Sequence, residues 1–223
     1  MKLLEELDIQ TEQEDLYIQA LTHTSYANEK ETTSYERLEY LGDAVLELIM
    51  SEYLYKNTTY EEGIMTKLRA KYVCEDALYE YSLKLHLNEY LLLGHGEEEN
   101  GGRMRKAIVA DIFEAFIGAM FLDLGIESVK KFIYFHIIPL IEKHEIQFDN
   151  DYKSLLQELV QTDKRSLEYI VVSETGPAHN KEFKVIAKID DITYGEGIAH
   201  SKKEAEQKAA QDALRKAQNG NGK

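Results

Sequence analysis

The hydrophobic pattern of this chain changes near residue 150, and no single class of secondary structure satisfies both parts. Before that point apolar residues recur every three or four positions, and after it alternating stretches appear between two short helical ones. A 3.6-residue period puts apolar side chains on one face of a helix, whereas a period of two puts them on one face of a strand. Over 33–55 the recurring residues are Leu38, Leu41, Val45, Leu48 and Ile49, with no Pro and one Gly. Thr33-Ser34-Tyr35-Glu36 fits a capping box, in which a hydroxyl and a Glu satisfy free backbone donors, and predicts that the helix starts there. The same periodicity predicts helices over 61–85, 103–124 and 127–144, so the first 150 residues read as all-helical. Gly94, Gly96, Gly101 and Gly102 bracket an acidic loop between two of them.

Beyond residue 150 the pattern predicts a short helix over 152–161. Alternation follows at Leu167, Tyr169 and Val171, and again at Phe183, Val185, Ala187 and Ile189. Gly176-Pro177 supplies a turn, Asp190-Asp191 a second turn, and a third strand spans 192–199. A last helix over 202–217 carries Ala205, Ala209, Ala213 and Leu214 on one face, before a polar tail expected to be mobile. The expected architecture is an all-α N-terminal domain over 1–146, a joint at 147–150, and a small α+β domain of order α-β-β-β-α over 151–218.

Charge divides at the same place. The formal net charge is −15, yet residues 151–223 hold 12 basic and 12 acidic side chains, leaving 14 basic against 29 acidic in 1–150. An acidic part joined to a charge-neutral one suggests two units with different tasks, and the whole-chain charge therefore does not exclude a nucleic-acid partner. The longest apolar stretches, 46–50 and 132–141, fall short of the roughly 20 residues that cross a bilayer, so no membrane is expected. The N-terminal residues lack a basic start, an apolar stretch and a small-residue cleavage site, which points to the cytoplasm. Cys74 is alone and forms neither an internal disulfide nor a cysteine-rich zinc site.

Glu36, Glu39 and Asp43 are spaced three and four apart, which stacks three like charges on one helical face. Asp111 and Glu114, three apart, interrupt the strongly apolar run Ile108, Val109, Ile112, Phe113, Phe116, Ile117. Acids in so apolar a setting need a partner. One partner is a hard divalent cation such as Mg²⁺, which takes oxygen ligands and, in pairs, supports phosphodiester hydrolysis. The alternative is a set of solvated helix faces paired with Arg37, Lys67, Arg69 or Arg105.

The stretch Glu36-Arg37-Leu38-Glu39-Tyr40-Leu41-Gly42-Asp43-Ala44-Val45-Leu46 resembles the signature of ribonuclease III, the Mg²⁺-dependent endonuclease of double-stranded RNA. Leu21-Thr22-His23-Thr24-Ser25-Tyr26-Ala27-Asn28-Glu29, Lys67-Leu68-Arg69-Ala70 and 110–119 stand around it in that family's order. Residues 152–214, with Gly176-Pro177-Ala178-His179 and Ser201-Lys202-Lys203-Glu204-Ala205-Glu206, are similar to the double-stranded-RNA-binding domain of the bacterial form. The resemblance implies that Glu39, Asp43, Asp111 and Glu114 are the catalytic, metal-binding carboxylates, holding Mg²⁺ with Mn²⁺ as a substitute. It also implies that Glu36 and Glu62 handle substrate at the edge of the cleft. Tyr40 takes the place of a Phe that packs into a partner subunit, so a homodimer is implied, with an added hydroxyl needing a partner. Each subunit would cut one strand by in-line attack of water, leaving 5′-phosphate and 3′-hydroxyl ends with a short 3′ overhang. His23, His86, His95 and His136 then need no catalytic role.

Lys202 and Lys203 open the last predicted helix, where the macrodipole disfavours cations. Meeting a phosphate there would compensate, since backbone donors and both ammonium groups would face one anion; two solvated lysines are the alternative. The resemblance assigns Ser201 with this lysine pair to RNA binding, Gln157 and Glu158 to one minor groove, and the His179 loop to the next. Such readout is mainly of A-form shape. It further implies ribosomal and messenger RNA precursors as targets. The rival reading is a non-catalytic relative that binds double-stranded RNA or the ribosome; loss of the acids would mark that class, and none is lost.

Overall fold

The computed structural model describes residues 1–142, 152–162, 164–177 and 181–220. The element order is α1 (Lys2–Glu6), α2 (Glu14–Ala20), α3 (Thr24–Lys30), α4 (Glu36–Asn57), α5 (Glu62–Tyr72), α6 (Glu75–Lys84), α7 (His95–Glu99), α8 (Lys106–His136), α9 (Ile138–Glu142), α10 (Tyr152–Thr162), β1 (Leu167–Thr175), β2 (Glu182–Ile189), β3 (Ile192–Ala199) and α11 (Lys202–Gly220). The chain divides into two compact units, Met1–Lys56 with Thr66–Phe148, and Asn57–Met65 with Asp149–Lys223. The expected joint at 147–150 lies outside the described residues.

In the first unit α8 is the central helix, packed by α2, α6 and α9. Phe113 and Phe116 are fully buried on it, meeting Tyr81 and Tyr17 with ring centroids 5.5 and 5.4 Å apart. Each buried aromatic ring of this kind contributes about 1.5–3 kcal/mol. Gly42 of α4 and Gly118 of α8 let these two helices touch at the backbone. A Cβ on Gly42 would lie 1.7 Å from the Glu114 carbonyl oxygen, and one on Gly118 2.2 Å from that of Leu38.

Several sequence expectations are corrected here. The helix expected over 61–85 is two helices, because Cys74 is extended (φ −74°, ψ 160°). Side chains satisfy the carbonyls freed at that break: the Tyr81 hydroxyl donates to Tyr72 O at 3.1 Å and the Cys74 thiol to Lys71 O at 3.2 Å. The capping box does not form. Helix α4 starts at Glu36, whose carboxylate accepts from the Ser34 hydroxyl at 2.9 Å. Leu48, expected on the inward face, is 60% exposed, while Leu46 and Met50 are buried in its stead. The expected break near 125 is present as Gly125 (φ 75°, ψ 174°), a non-helical residue within α8. The acidic loop contains the short α7.

The second unit is an antiparallel meander β1-β2-β3 covered by α10 and α11. Val185, Ala187 and Ile189 of β2 are buried, as alternation predicts. On β1 the alternation fails at Val171, which is 39% exposed, and the pairing with β2 shifts just beyond it, between Val171 and Ser173. A register shift of one residue turns side chains to the other face. Asp190 and Asp191 both have positive φ (48° and 67°), the signature of a two-residue hairpin turn whose twist matches its strands. Buried Ala205, Ala209 and Ala213 present the small face of α11 to β3. There Gly195 and Gly197 leave room: a Cβ on either would fall within 2.2 Å of a carbonyl oxygen of Ala209 or Ala205. Helix α11 runs on to Gly220, beyond the expected end at 217.

Candidate functional site

Two elements of opposite origin deliver the carboxylates. Glu39 stands in the first turn of α4, and Asp111 and Glu114 stand one turn apart on α8. The backbone contact at Gly42 and Gly118 brings these faces so close that one carboxylate oxygen from each of Glu39, Asp111 and Glu114 lies within 4.8 Å of the other two. All three are half-buried. Asp43 is exposed and outside this group of three, but its charge acts on both Glu39 and Glu114. Glu36 is exposed and acts on Glu39. Glu62 is exposed at the start of α5, in the segment that belongs to the second unit.

Burial and mutual repulsion make this cluster reluctant to ionise. Desolvation, then the charges of Asp111, Glu36 and Asp43, push Glu39 up to about 7. Desolvation, then Asp43, Glu39, Asp111 and Glu47, push Glu114 up to about 8. Burial also raises Asp111, partly offset by the Tyr35 hydroxyl, which donates to Asp111 Oδ2 at 3.0 Å. Two of the basic residues that could have neutralised the cluster are engaged elsewhere: Arg105 pairs with Glu97 at 2.5 Å and Arg69 donates to the Ser51 hydroxyl at 3.1 Å. None of the three acids pairs with a Lys or Arg among the described residues. Half-buried carboxylate oxygens without a basic partner fit a hard divalent cation, whose charge would reverse the penalty.

Three of the histidines stand apart from this cluster, and His23 acts on it only through its charge on Asp111. His86 and His95 are exposed beside Glu89 and Glu99, and His136 packs on the Phe132 ring at 4.6 Å. His23 caps α3 by accepting from the Ser25 N–H at 3.2 Å, and burial lowers its pKa. Tyr40 is 83% exposed beside an apolar groove lined by Leu16, Leu38, Leu41 and Leu122.

In the second unit Gln157 of α10 and Lys203 of α11 line one pocket with Lys153, Ser154, Tyr169 and Gln207. Lys202 and Lys203 are both exposed in the first turn of α11, and the Lys202 ammonium lies 5.5 Å from the Phe183 ring centroid. Ser201 has a role that sequence reading missed, accepting from the Glu204 N–H at 3.2 Å as the cap of α11. The hydroxyl-before-helix pattern there was the signal for it. Lys153 was missed as well; it pairs with Glu206 at 2.6 Å and lies 4.9 Å over the Tyr169 ring. His179 lies outside the described residues, as does the side chain of Glu158.

Comparison with known proteins agrees with both halves of this picture. Residues 13–141 match the family model described as ribonuclease-III-like, and residues 152–217 match the double-stranded RNA binding motif. The chain is 49% identical over 222 residues to ribonuclease 3 of Bacillus licheniformis, covering 97% of this chain and 89% of that protein. It is 47% identical to ribonuclease 3 of Oceanobacillus iheyensis, covering 95% of each. The solved nuclease domain of ribonuclease III from Campylobacter jejuni superposes with a TM-score of 0.57 at 39% identity, covering 61% of this chain and 94% of that one. The acid cluster on paired helices, the α-β-β-β-α unit with its lysine-bearing helix and these matches together make the chain a member of the ribonuclease III family, an endoribonuclease acting on double-stranded RNA.

Proposed function

We propose that this endoribonuclease depends on Mg²⁺, with Mn²⁺ as a substitute, held by Glu39, Asp43, Asp111 and Glu114. The observation that carries this is the convergence of Glu39, Asp111 and Glu114 without a basic neighbour. When bound, the cation would lower the pKa of water and neutralise charge on the phosphoryl group. The chain's own part is to fix the carboxylates on two helices pressed together at Gly42 and Gly118, so that little rearrangement is needed on binding. Asp43, exposed one turn beyond Glu39, adds charge from the solvent side. Glu36 and Glu62 handle substrate. Hydrolysis leaves 5′-phosphate and 3′-hydroxyl ends with a short 3′ overhang.

The catalytic domain spans 1–146 and the RNA-binding domain 151–218. Gln157, Glu158, His179, Ser201, Lys202 and Lys203 contact the duplex, with the two lysines on phosphates. Their exposure at the positive end of α11 supports this, because helix N-termini favour anions. The protein is a homodimer with Tyr40 at the contact. A ring 83% exposed beside an apolar groove supports that placement, as does the Campylobacter jejuni nuclease domain, which has a region involved in dimer formation. Among the described residues no helix is long and apolar enough to cross a membrane. We assign the activity to the cytoplasm and to ribosomal and messenger RNA precursors.

The test is cleavage of a long, perfectly paired RNA with Mg²⁺ and with a chelator, reading the product ends. Metal-dependent cutting to short duplexes with 5′-phosphates supports the proposal. Duplex binding without cutting in Mg²⁺ would overturn it.

A further inference from the structure

Tyr35 precedes α4 and is only 4% exposed, yet it makes contacts in three directions. Its N–H donates to Thr22 O at 2.9 Å, and its carbonyl accepts from the N–H of Leu38 at 2.8 Å and of Glu39 at 3.0 Å. Its hydroxyl donates across to Asp111 Oδ2 at 3.0 Å, 76 residues away in sequence. Its ring lies against His23, 5.8 Å between centroids. One residue therefore bonds the backbone of one cluster acid and the side chain of another.

A carboxylate turns freely about its last bond unless an oxygen is held, and Tyr35 is the only hydrogen-bond partner of the Asp111 carboxylate among the described residues. A buried phenol in turn needs an acceptor. We propose that Tyr35 is a positioning residue for the cation site, its hydroxyl fixing the Asp111 carboxylate in the orientation that Glu39 and Glu114 complete. The inference rests on the metal-site reading above. Partners that orient a metal ligand are commonly worth 10–100-fold in affinity or activity.

The experiment measures Mn²⁺ binding by electron paramagnetic resonance in the full-length protein without RNA, for Tyr35→Phe and for Asp111→Asn. Tyr35→Phe should weaken Mn²⁺ binding by about 10–100-fold and raise the Mg²⁺ needed for half-maximal cutting by a similar factor. Its duplex binding in chelator should match the unsubstituted protein. A purely structural tyrosine would lower the unfolding temperature and leave metal affinity unchanged. Unchanged Mn²⁺ affinity in Tyr35→Phe, with Asp111→Asn defective, would overturn the positioning role alone. Unchanged affinity in Asp111→Asn would instead overturn the metal site itself. The Mn²⁺-induced rise in unfolding temperature serves for a destabilised variant: a smaller rise than in the unsubstituted protein supports the inference, and an equal rise overturns it.

Discussion

In the helical unit three carboxylates share a half-buried spot with no Lys or Arg paired to them among the described residues, whereas in the second unit two lysines stand at the positive end of a helix. Each arrangement goes against the local electrostatic preference, and the two do so with opposite sign. Elsewhere both units hold ordinary ion pairs, such as Lys56 with Glu52, Lys106 with Asp76 and Arg165 with Asp190. The departures are therefore local. A half-buried site whose charges repel one another, or a helix end whose charges oppose the dipole, is shaped for a counter-charge: a cation at the acids, phosphate at the lysines.

The sharpest way to break this comparison is to remove one charge from each side. Glu114→Gln should lower cutting by at least about a hundredfold, since even an outer partner of a metal ligand is worth up to that much, while duplex binding persists. Full activity in that variant would remove the acid cluster from the chemistry. Lys202→Ala with Lys203→Ala should do the reverse. Duplex binding should weaken, and the slope of log affinity against log salt should fall by about 2, one for each phosphate that a lysine had neutralised. An unchanged slope would show that the lysines do not neutralise phosphate.

Glycines offer a finer contrast, because each unit uses them to bring two elements to backbone distance. Gly118→Ala would drive a methyl group into the Leu38 carbonyl, and Gly197→Ala would drive one into that of Ala205. Neither obstacle is a flexible side chain, so each should cost about 1–3 kcal/mol by thermal unfolding. The functional losses should part: metal affinity and cutting in the first, duplex affinity in the second. Equal loss of both functions in both variants would mean that the two sites are not built independently.

Much of this was legible in the residues, for physical reasons. Spacings of three and four fix which acids share a helical face, so Glu39 and the pair Asp111 and Glu114 could be picked out. Small residues at Ala205, Ala209 and Ala213 marked the face of α11 that packs on the sheet. What stayed hidden depends on contacts far apart in sequence. The bond from Tyr35 to Asp111 has no periodic signature, and Tyr35 read instead as part of a capping box that does not form. The break at Cys74 was invisible because helical spacing continues through it, and the register shift between β1 and β2 beyond Val171 has no signature in the alternation. Asp43 shares a face with Glu39, yet the spacing could not tell that its carboxylate stays outside the tight group of three.

The last expected effect is on stability against pH, and it too should differ between the units. Glu39 and Glu114 are held near 7 and 8 by burial and by neighbouring acids, above the usual carboxylate range of the unfolded chain. Between those limits the folded helical unit binds more protons than the unfolded chain, so this contribution is present below the usual range and is lost as pH rises through about 8. Asp190 is the opposite case: hydrogen bonds from Arg165 and from the Ser166 N–H hold it below its ordinary value. Its contribution is present above the ordinary aspartate range and is lost as pH falls through the lowered value. Calorimetry of the metal-free protein should therefore show the helical unit melting lower at about pH 8 than at about pH 6. Mg²⁺ should raise that transition most at the higher pH, because a cation binds the ionised acids and stabilises only the folded state. The transition of the second unit should stay level over the same interval and fall only on acidification. A metal-free helical transition that does not move with pH would mean that the acids are solvated more fully than their half-buried positions imply, and the contrast between the units would then rest on the lysines alone.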